Sequence, residues 1–398
     1  MEIQKYLAKK TLAQLQEEFS IKVRYHEKYP NLVSLSYNQL LSPMHRSIVQ
    51  ECRGLVIDTA DNNRVVSMAY KKFWNYAEVH GDELNLGTTR LYEKLDGSLL
   101  VLFHYNGEWL TSTTGTPDAS GTCDMWGGSF NSLFWLVFNE LDYELPKDTN
   151  YCYVFELCTP YNQVVIPTQK SRLVLHGVRN LADGCGGYEL APESAAEMLG
   201  LNYELVKIYD LPKTWPAITQ YIREQNGREF EGLVAVDHQF HRLKLKNAEY
   251  VFLHHSLSRF SLKHALEIIF TGEVSEVIAY KPEYQALFDD LLRTYNEIIS
   301  LSNLYLETCK DWDRKTIGLW FADKPQDDVH GFLKGWCFSK LFKPEFEFIS
   351  IEAALLQWLH KSPSKVKRCF KVRPDLQALL DSEECQSDAD CIITNWRV

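Results

Sequence analysis

Over roughly the first 250 residues, apolar positions fall in short runs that often alternate with polar ones at a period of two. That spacing puts every second side chain on one face of a strand. It predicts strands at Cys52–Asp58, Tyr151–Leu157, Val164–Ile166, Leu173–Val178, Gly232–Asp237 and Leu243–Leu245. Ser98–Tyr105 and Glu108–Thr113 flank Asn106-Gly107, the strongest two-residue hairpin signal. Helical spacing interrupts the strands at Met125–Leu141, Ala191–Leu199 and Trp215–Gln225, and the N-terminal MEIQKYLAKKTLAQLQEEFS reads as an amphipathic helix. Short strands mixed with separate helices predict an α+β fold with mainly antiparallel sheets.

After about residue 255 the period changes to between three and four. Tyr284–Leu306 places apolar residues at 288, 291, 292, 295, 298 and 299, and Ser256–Phe270 and Ile349–His360 are similar. Strand signals almost vanish. The expected organisation is an α+β domain over 1–253 and an all-helical domain over 254–398. The helical part ends in a basic run (Lys361, Lys365, Lys367, Arg368, Lys371, Arg373), read either as a solvated loop or as a phosphate-contacting surface. An acidic tail follows (Asp381, Glu383, Glu384, Asp388, Asp390).

Composition narrows the classes. Hydrophobic residues make up 45% of 398 and charged residues 24%, ordinary for a folded soluble chain. The longest notable apolar run, Leu133–Phe138, is too short to span a bilayer. No signal-peptide core opens the chain, so a cytoplasmic protein without a membrane partner is expected. Ten cysteines are scattered without a C-x-x-C pair, which fits free thiols in a reducing compartment. The net charge of −11 argues against a dedicated duplex binder, so any nucleic-acid contact must come from a local basic patch.

Against this background one stretch raises a chemical question. In Lys94-Leu95-Asp96-Gly97-Ser98 a lysine stands just before an Asp-Gly turn and a strand. It is either a solvated loop lysine or a nucleophile. In chain order around it stand Arg53-Gly54, Lys72 beside Phe73-Trp74, Glu156 in an otherwise apolar strand, Glu231 leading into another, and Lys244 and Lys246 two apart. Residues i and i+2 of a strand share a face, so both ammonium groups project together. Arg53, Lys72, Lys244 and Lys246 suit a triphosphate and its leaving pyrophosphate. Asp96, Glu156 and Glu231 could hold a divalent metal, and neighbouring cations would favour a neutral, nucleophilic Lys94. Trp74 would stack on a base or lie in the core.

The ordered stretches SYNQLLSP, ECRGLVID, KKFWNYAE, EKLDGSLL, FELCTPYNQVVIP, EGLVAV and LKLKNAEYV resemble the bacteriophage-type RNA ligase 1 family of covalent nucleotidyltransferases over about residues 30–253. The resemblance implies ATP and Mg2+ (or Mn2+) as cosubstrate and metal, and three steps. Lys94 takes AMP from ATP as lysyl-AMP, AMP passes to an RNA 5′-phosphate, and a 3′-hydroxyl displaces it. It implies that Lys244 and Lys246 contact the α-phosphate, and that Arg53 and Lys72 bind phosphates. Glu156 would meet the ribose or position the lysine, Glu231 would serve the metal or orient the lysine, and Tyr37 would contact the nucleotide. RNA (tRNA) repair, with an end-healing kinase or phosphatase as partner, is the expected setting. One departure stands out: Thr113-Thr114-Gly115-Thr116 lacks the lysine common there. Alternatives are a DNA ligase or capping enzyme, whose β-barrel does not fit the helices after Lys246, and a non-catalytic RNA-end-binding scaffold.

Overall fold

The computed structural model describes residues 1–380 except 39–40, 77–80, 124, 257–259, 344–345 and 347–348. The acidic tail, Cys385, Cys391 and parts of SYNQLLSP and KKFWNYAE lie outside the described residues. The chain forms two compact units. One comprises Met1–Gln16, Ile21–Tyr37 and Met44–Tyr250; the other gathers Glu17–Ser20, Asn38–Pro43 and the described residues from Val251 onward.

In chain order the strands of the first unit are β1 (Lys22–Tyr25), β2 (Leu32–Ser36), β3 (Arg53–Asp58), β4 (Arg64–Ser67), β5 (Trp74–Asn75), β6 (Arg90–Lys94), β7 (Ser98–Tyr105), β8 (Glu108–Thr113), β9 (Thr122–Cys123), β10 (Gly128–Ser129), β11 (Tyr151–Cys158), β12 (Arg172–Asn180), β13 (Tyr188–Leu190), β14 (Glu204–Leu205), β15 (Ile208–Tyr209), β16 (Gly232–Val236) and β17 (Arg242–Lys246). Three larger sheets result, ordered β1-β2-β3-β4, β13-β12-β11-β7-β8 with β14 beside β12, and β15-β6-β16-β17-β5. Most pairs are antiparallel; β14 on β12 and β5 on β17 are parallel. Asn106 and Gly107 both take positive φ, 48° and 83°, which joins β7 to β8 as the Asn-Gly signal predicts.

Alternation does the sorting. In the β6-β16-β17 sheet Leu91, Leu233, Ala235 and Leu245 are buried with Ile218 and Ile222 of the helix Trp215–Arg223. Their neighbours Tyr92, Lys94, Val234, Val236, Lys244 and Lys246 emerge on the opposite face. In the β11-β12-β7 sheet, Leu100, Leu102, Tyr153, Phe155, Leu173 and Leu175 pack on Leu133, Phe134, Val137 and Phe138 of the helix Phe130–Glu140. Those helix positions share one stripe, and the Ser129 side chain caps its start.

The second unit is helical, with no strand among the described residues after Lys246. Gln285–Cys309 buries Leu287, Phe288, Leu291 and Ile298 against Leu262–Thr271 and its neighbours. Side-chain caps from Asp313, Asp327 and Ser350 start three of the helices.

Four expectations need correction. Val164–Ile166 is not a strand; its backbone bonds to a side chain, as described below, and has no sheet neighbour. The N-terminal segment forms two helices, Glu2–Leu7 and Leu12–Phe19. The helix expected from Met125 starts at Phe130 because Thr122–Cys123 first pairs with Gly128–Ser129. The basic run near residue 365 is helical over its first four residues: Lys361 ends the helix Ile351–Lys361, and Lys365, Lys367 and Arg368 lie in Pro363–Cys369, whereas Lys371 and Arg373 follow outside a helix. The eight described cysteines are all free thiols, six of them buried.

Candidate active site

The face opposite the Trp215–Arg223 helix is a ladder of registered rows. Lys94, Gly232 and Lys246 stand side by side on β6, β16 and β17; Tyr92, Val234 and Lys244 form the next row; Arg90, Val236 and Arg242 the third. Glu156 on β11 and the bulged His176 on β12 come from the neighbouring sheet. Together these strands line a cavity of about 390 Å3.

Lys94 makes an ion pair with Glu231, the residue just before β16. Glu231 is 5% exposed. Burial raises its carboxyl above the usual range, and the Lys94 ammonium pulls it back down. The pair is both an anchor for the amine and a desolvated charge that is costly to leave alone.

Asp96 turns the other way. Its Oδ2 accepts backbone N–H bonds from Val165 (2.8 Å) and Ile166 (2.7 Å), and Oδ1 accepts from the Tyr250 hydroxyl at 3.1 Å. Its carboxylate therefore braces the turn that carries Lys94. Gly97 is required by close approach: a Cβ there would lie 2.6 Å from the Leu157 carbonyl oxygen and 2.9 Å from Cys158 Sγ. Asn162 clamps the same spot. Its Nδ2 donates to Leu157 O (2.7 Å) and Ser98 Oγ (2.9 Å), and its Oδ1 accepts from Thr159 N and Oγ1.

The cations gather from separate strands. Lys244 is mostly desolvated. Burial first, then Lys72, Lys246, Lys94 and Arg53, push its ammonium down to about 7. Arg53 lines the cavity with its guanidinium 5.2 Å from the centre of the Phe73 ring. Its Nη1 is buried without a hydrogen-bond partner. A buried cationic donor of this kind fits an anionic oxygen brought by a ligand. Thr114 also lines the cavity. Its loop is closed by Thr113 and Thr116 bonding to each other, so no cation is supplied at that point.

Tyr37, Lys72 and Trp74 are not in the cavity wall. The Lys72 ammonium lies 4.7 Å from the Trp74 ring centre and 5.9 Å from that of Tyr37, a cation–π group beside the cavity. The Lys72 ammonium acts on the site through its field on Lys244.

Three wall features are new to the structure. Phe155 pairs with Leu175 and Val154 with Gly177, so His176 is an extra residue in β12. The bulge re-aims its side chain, a device common beside active sites. His176 Nε2 lies 3.3 Å from Glu156 Oε2, within ion-pair range when the ring is protonated but not aligned for a hydrogen bond. Its Nδ1 meets the Tyr70 hydroxyl at 2.9 Å. Behind Tyr70, Glu189 joins Arg179 and Arg242 in a buried charged trio, and the Arg242 guanidinium sits 4.2 Å from the Tyr70 ring centre. Arg242 had a readable signal, because the i, i+2 argument for Lys244 and Lys246 extends back to it. The bulge at His176 had none.

Among the described residues no group of three or more His, Cys, Asp or Glu side chains is placed to hold a metal ion. Glu156 and Glu231 line the cavity while Asp96 does not. That donor set does not make a protein cage. It fits Mg2+ carried mainly by substrate phosphates and water with one or two carboxylates nearby.

A bed of cations around a lysine–glutamate pair, on an antiparallel sheet, makes a site suited to an anionic ligand. The family model described as RNA ligase matches residues 51–250, and the chain belongs to that family, the bacteriophage-type RNA ligases. The RNA ligase of Rhodothermus phage RM378 is 24% identical over 296 residues, covering 59% of this chain and 67% of the phage protein. A protein of Autographa californica nuclear polyhedrosis virus named "Putative bifunctional polynucleotide kinase/RNA ligase" is 29% identical over 133 residues. The match takes in 31% of this chain and spans only 19% of the viral protein. A solved archaeal ATP-dependent RNA ligase superposes with a TM-score of 0.41 at 14% identity, covering 84% of this chain and 77% of that one. Among the described residues no helix is long and apolar enough to cross a membrane.

Proposed function

We propose that the protein seals RNA 5′-phosphate and 3′-hydroxyl ends with ATP, through a lysyl-AMP intermediate on Lys94. The observation that carries the reading is the Lys94–Glu231 pair set in one row with Lys246 and beside Lys244 and Arg53.

Glu231 holds the Lys94 amine at the cavity wall. In the first step the Lys94 nitrogen bonds to the α-phosphorus of ATP, the bond to pyrophosphate breaks, and the ammonium's proton is lost to Glu231 or to solvent. Lys244, Lys246 and Arg53 carry the charge that develops on the phosphoryl and leaving oxygens. Glu156, with His176 behind it, meets the ribose. Glu231 and Glu156 would hold Mg2+ or Mn2+ brought with the nucleotide, and the cation would neutralise phosphate charge there. AMP then passes to an RNA 5′-phosphate, and the 3′-hydroxyl attacks that phosphate and releases AMP. RNA repair in a cytoplasm, tRNA included, is the setting we assign. An end-healing kinase or phosphatase would supply the ends; the name of the baculovirus relative pairs a kinase with a ligase.

The test is transfer of label from α-phosphate-labelled ATP to denatured polypeptide in the presence of Mg2+, after pre-bound AMP is stripped with pyrophosphate. Wild type takes label, and Lys94→Ala takes none while melting normally. Folded, stripped wild type that stays unlabelled overturns the reading and leaves an RNA-end-binding scaffold.

A further inference from the structure

Four residues of the basic run that sequence alone left open fall into two kinds. Arg368 pairs with Asp328 at 2.8 Å and Arg373 with Asp290 at 3.2 Å; these hold helices together. Lys361 and Lys365 do something else. Both are exposed, and neither has a carboxylate within ion-pair range among the described residues. They stand at the edge of a second cavity, about 480 Å3, within the helical unit. Its volume falls in the range of about 300–1,000 Å3 typical of small-molecule sites.

The wall of this cavity is aromatic. Phe332 and Trp358 stack with ring centres 4.6 Å apart and planes 14° apart. Trp336 is 5% exposed, and its indole N–H is buried with no hydrogen-bond partner, a donor the protein itself leaves unused. The two wall acids are already engaged. Asp327 caps the helix Asp328–Phe342 and accepts from His330 at 2.8 Å, and Asp328 holds Arg368. The charge left available is the pair of lysines. Flat rings, an unused donor and adjacent ammonium groups make up the recognition chemistry of an unpaired nucleotide: a face to stack on, an edge to hydrogen-bond and a phosphate to neutralise. A core packing defect would supply the rings but not the unpaired lysines.

We propose that this cavity takes one unpaired nucleotide of the RNA substrate, its base against the Phe332–Trp358 wall and its phosphate on Lys361 and Lys365. The proposal rests on the RNA ligase reading and extends it to where the strand is held away from the chemistry.

The experiment is fluorescence anisotropy of a labelled, 5′-phosphorylated single-stranded oligoribonucleotide with the full chain over a salt series. Wild type is compared with the Lys361→Ala/Lys365→Ala double variant and with Trp358→Ala. Each preparation is also scored for label transfer from ATP. The double variant changes only exposed side chains, so folding does not confound it. We expect it to bind about tenfold more weakly at low salt, with the slope of log affinity against log salt shallower by about 0.7, one phosphate on a single strand. Trp358→Ala weakens binding by about tenfold with the slope unchanged. Label transfer is the same in all three. Wild-type affinity and slope in the double variant, with label transfer intact, overturns the proposal and spares the ligase reading. Failure of wild type to take label brings down both. Uridine monophosphate competing as well as the oligonucleotide would give the cavity to a free nucleotide and overturn the RNA assignment.

Discussion

In the first row of the cavity-side ladder, Lys94 and Lys246 flank Gly232; in the third, Arg242 stands beside Val236. All three cations lie on the same face of one sheet, yet their surroundings differ. Lys94 is held by a single buried acid at the cavity wall, and Lys244 in the middle row is desolvated among other cations. Arg242 is locked to Glu189, to the Phe240 carbonyl and over Tyr70. At the first-row end, like charges are concentrated at a cost to stability, which suits an incoming polyanion. At the third-row end, charge is cancelled within the protein and apolar neighbours such as Val206, Val234 and Phe240 form the wall.

Substitutions can break or sharpen this contrast. After loss of Lys94 itself, the largest effect is expected from Glu231→Gln. The amine loses its ionic anchor, and the rate of label transfer falls by about 10² to 10³, measured in single-turnover mixes. An unchanged rate would make Glu231 a structural acid only. Arg242→Met should act in the opposite way. It costs about 3 kcal/mol of stability, read from the urea midpoint, because Glu189 loses one of two buried partners. Protein that remains folded keeps its label-transfer rate.

Lys244→Met comes next. The native ammonium titrates near 7, whereas an unfolded lysine stays charged to about 10.4. Between those values the unfolded chain binds more protons, so wild-type stability rises with pH across that window. The variant should lose that slope and gain on the order of 2 kcal/mol at pH 6, while losing ATP affinity. Linked to this, ATP binding above pH 7 should take up a proton at Lys244, seen as a binding heat that varies with the ionisation enthalpy of the buffer. Equal heats in all buffers would mean Lys244 is already charged. The smallest effect is expected from Val234→Ala, which removes apolar wall in the middle row. KM for ATP rises about fivefold with the saturated rate unchanged.

The same contrast explains what the sequence reveals. Lys94, Lys244 and Lys246 are legible because strand alternation dictates their common face, and Glu231 because a short motif places it at the start of a strand. The helical character of the second unit is legible from its period. Asp96 is legible as part of a motif but not in its direction, since its partners Val165, Ile166 and Tyr250 are some 70 to 154 residues away along the chain. That interaction also accounts for the failed strand at Val164–Ile166, because it takes up the amides of Val165 and Ile166. His176 depends on a one-residue bulge that leaves no local trace in composition. Lys72 beside Trp74 is legible as a cation next to an aromatic ring, whereas Tyr37 joins them only in the fold; adjacency along the chain does not fix whether such a group lines the cavity or stands beside it.

Gly97 presses against Cys158, and that contact has a kinetic meaning. The thiol is 4% exposed, and burial pushes its ionisation far up, so an alkylating reagent meets neither thiolate nor access while the sheet is closed. Modification must wait for β11 and the lysine-bearing turn to separate. Under excess reagent, the reaction of Cys158 then reports how often that turn opens, a stopwatch for local opening placed directly behind Lys94.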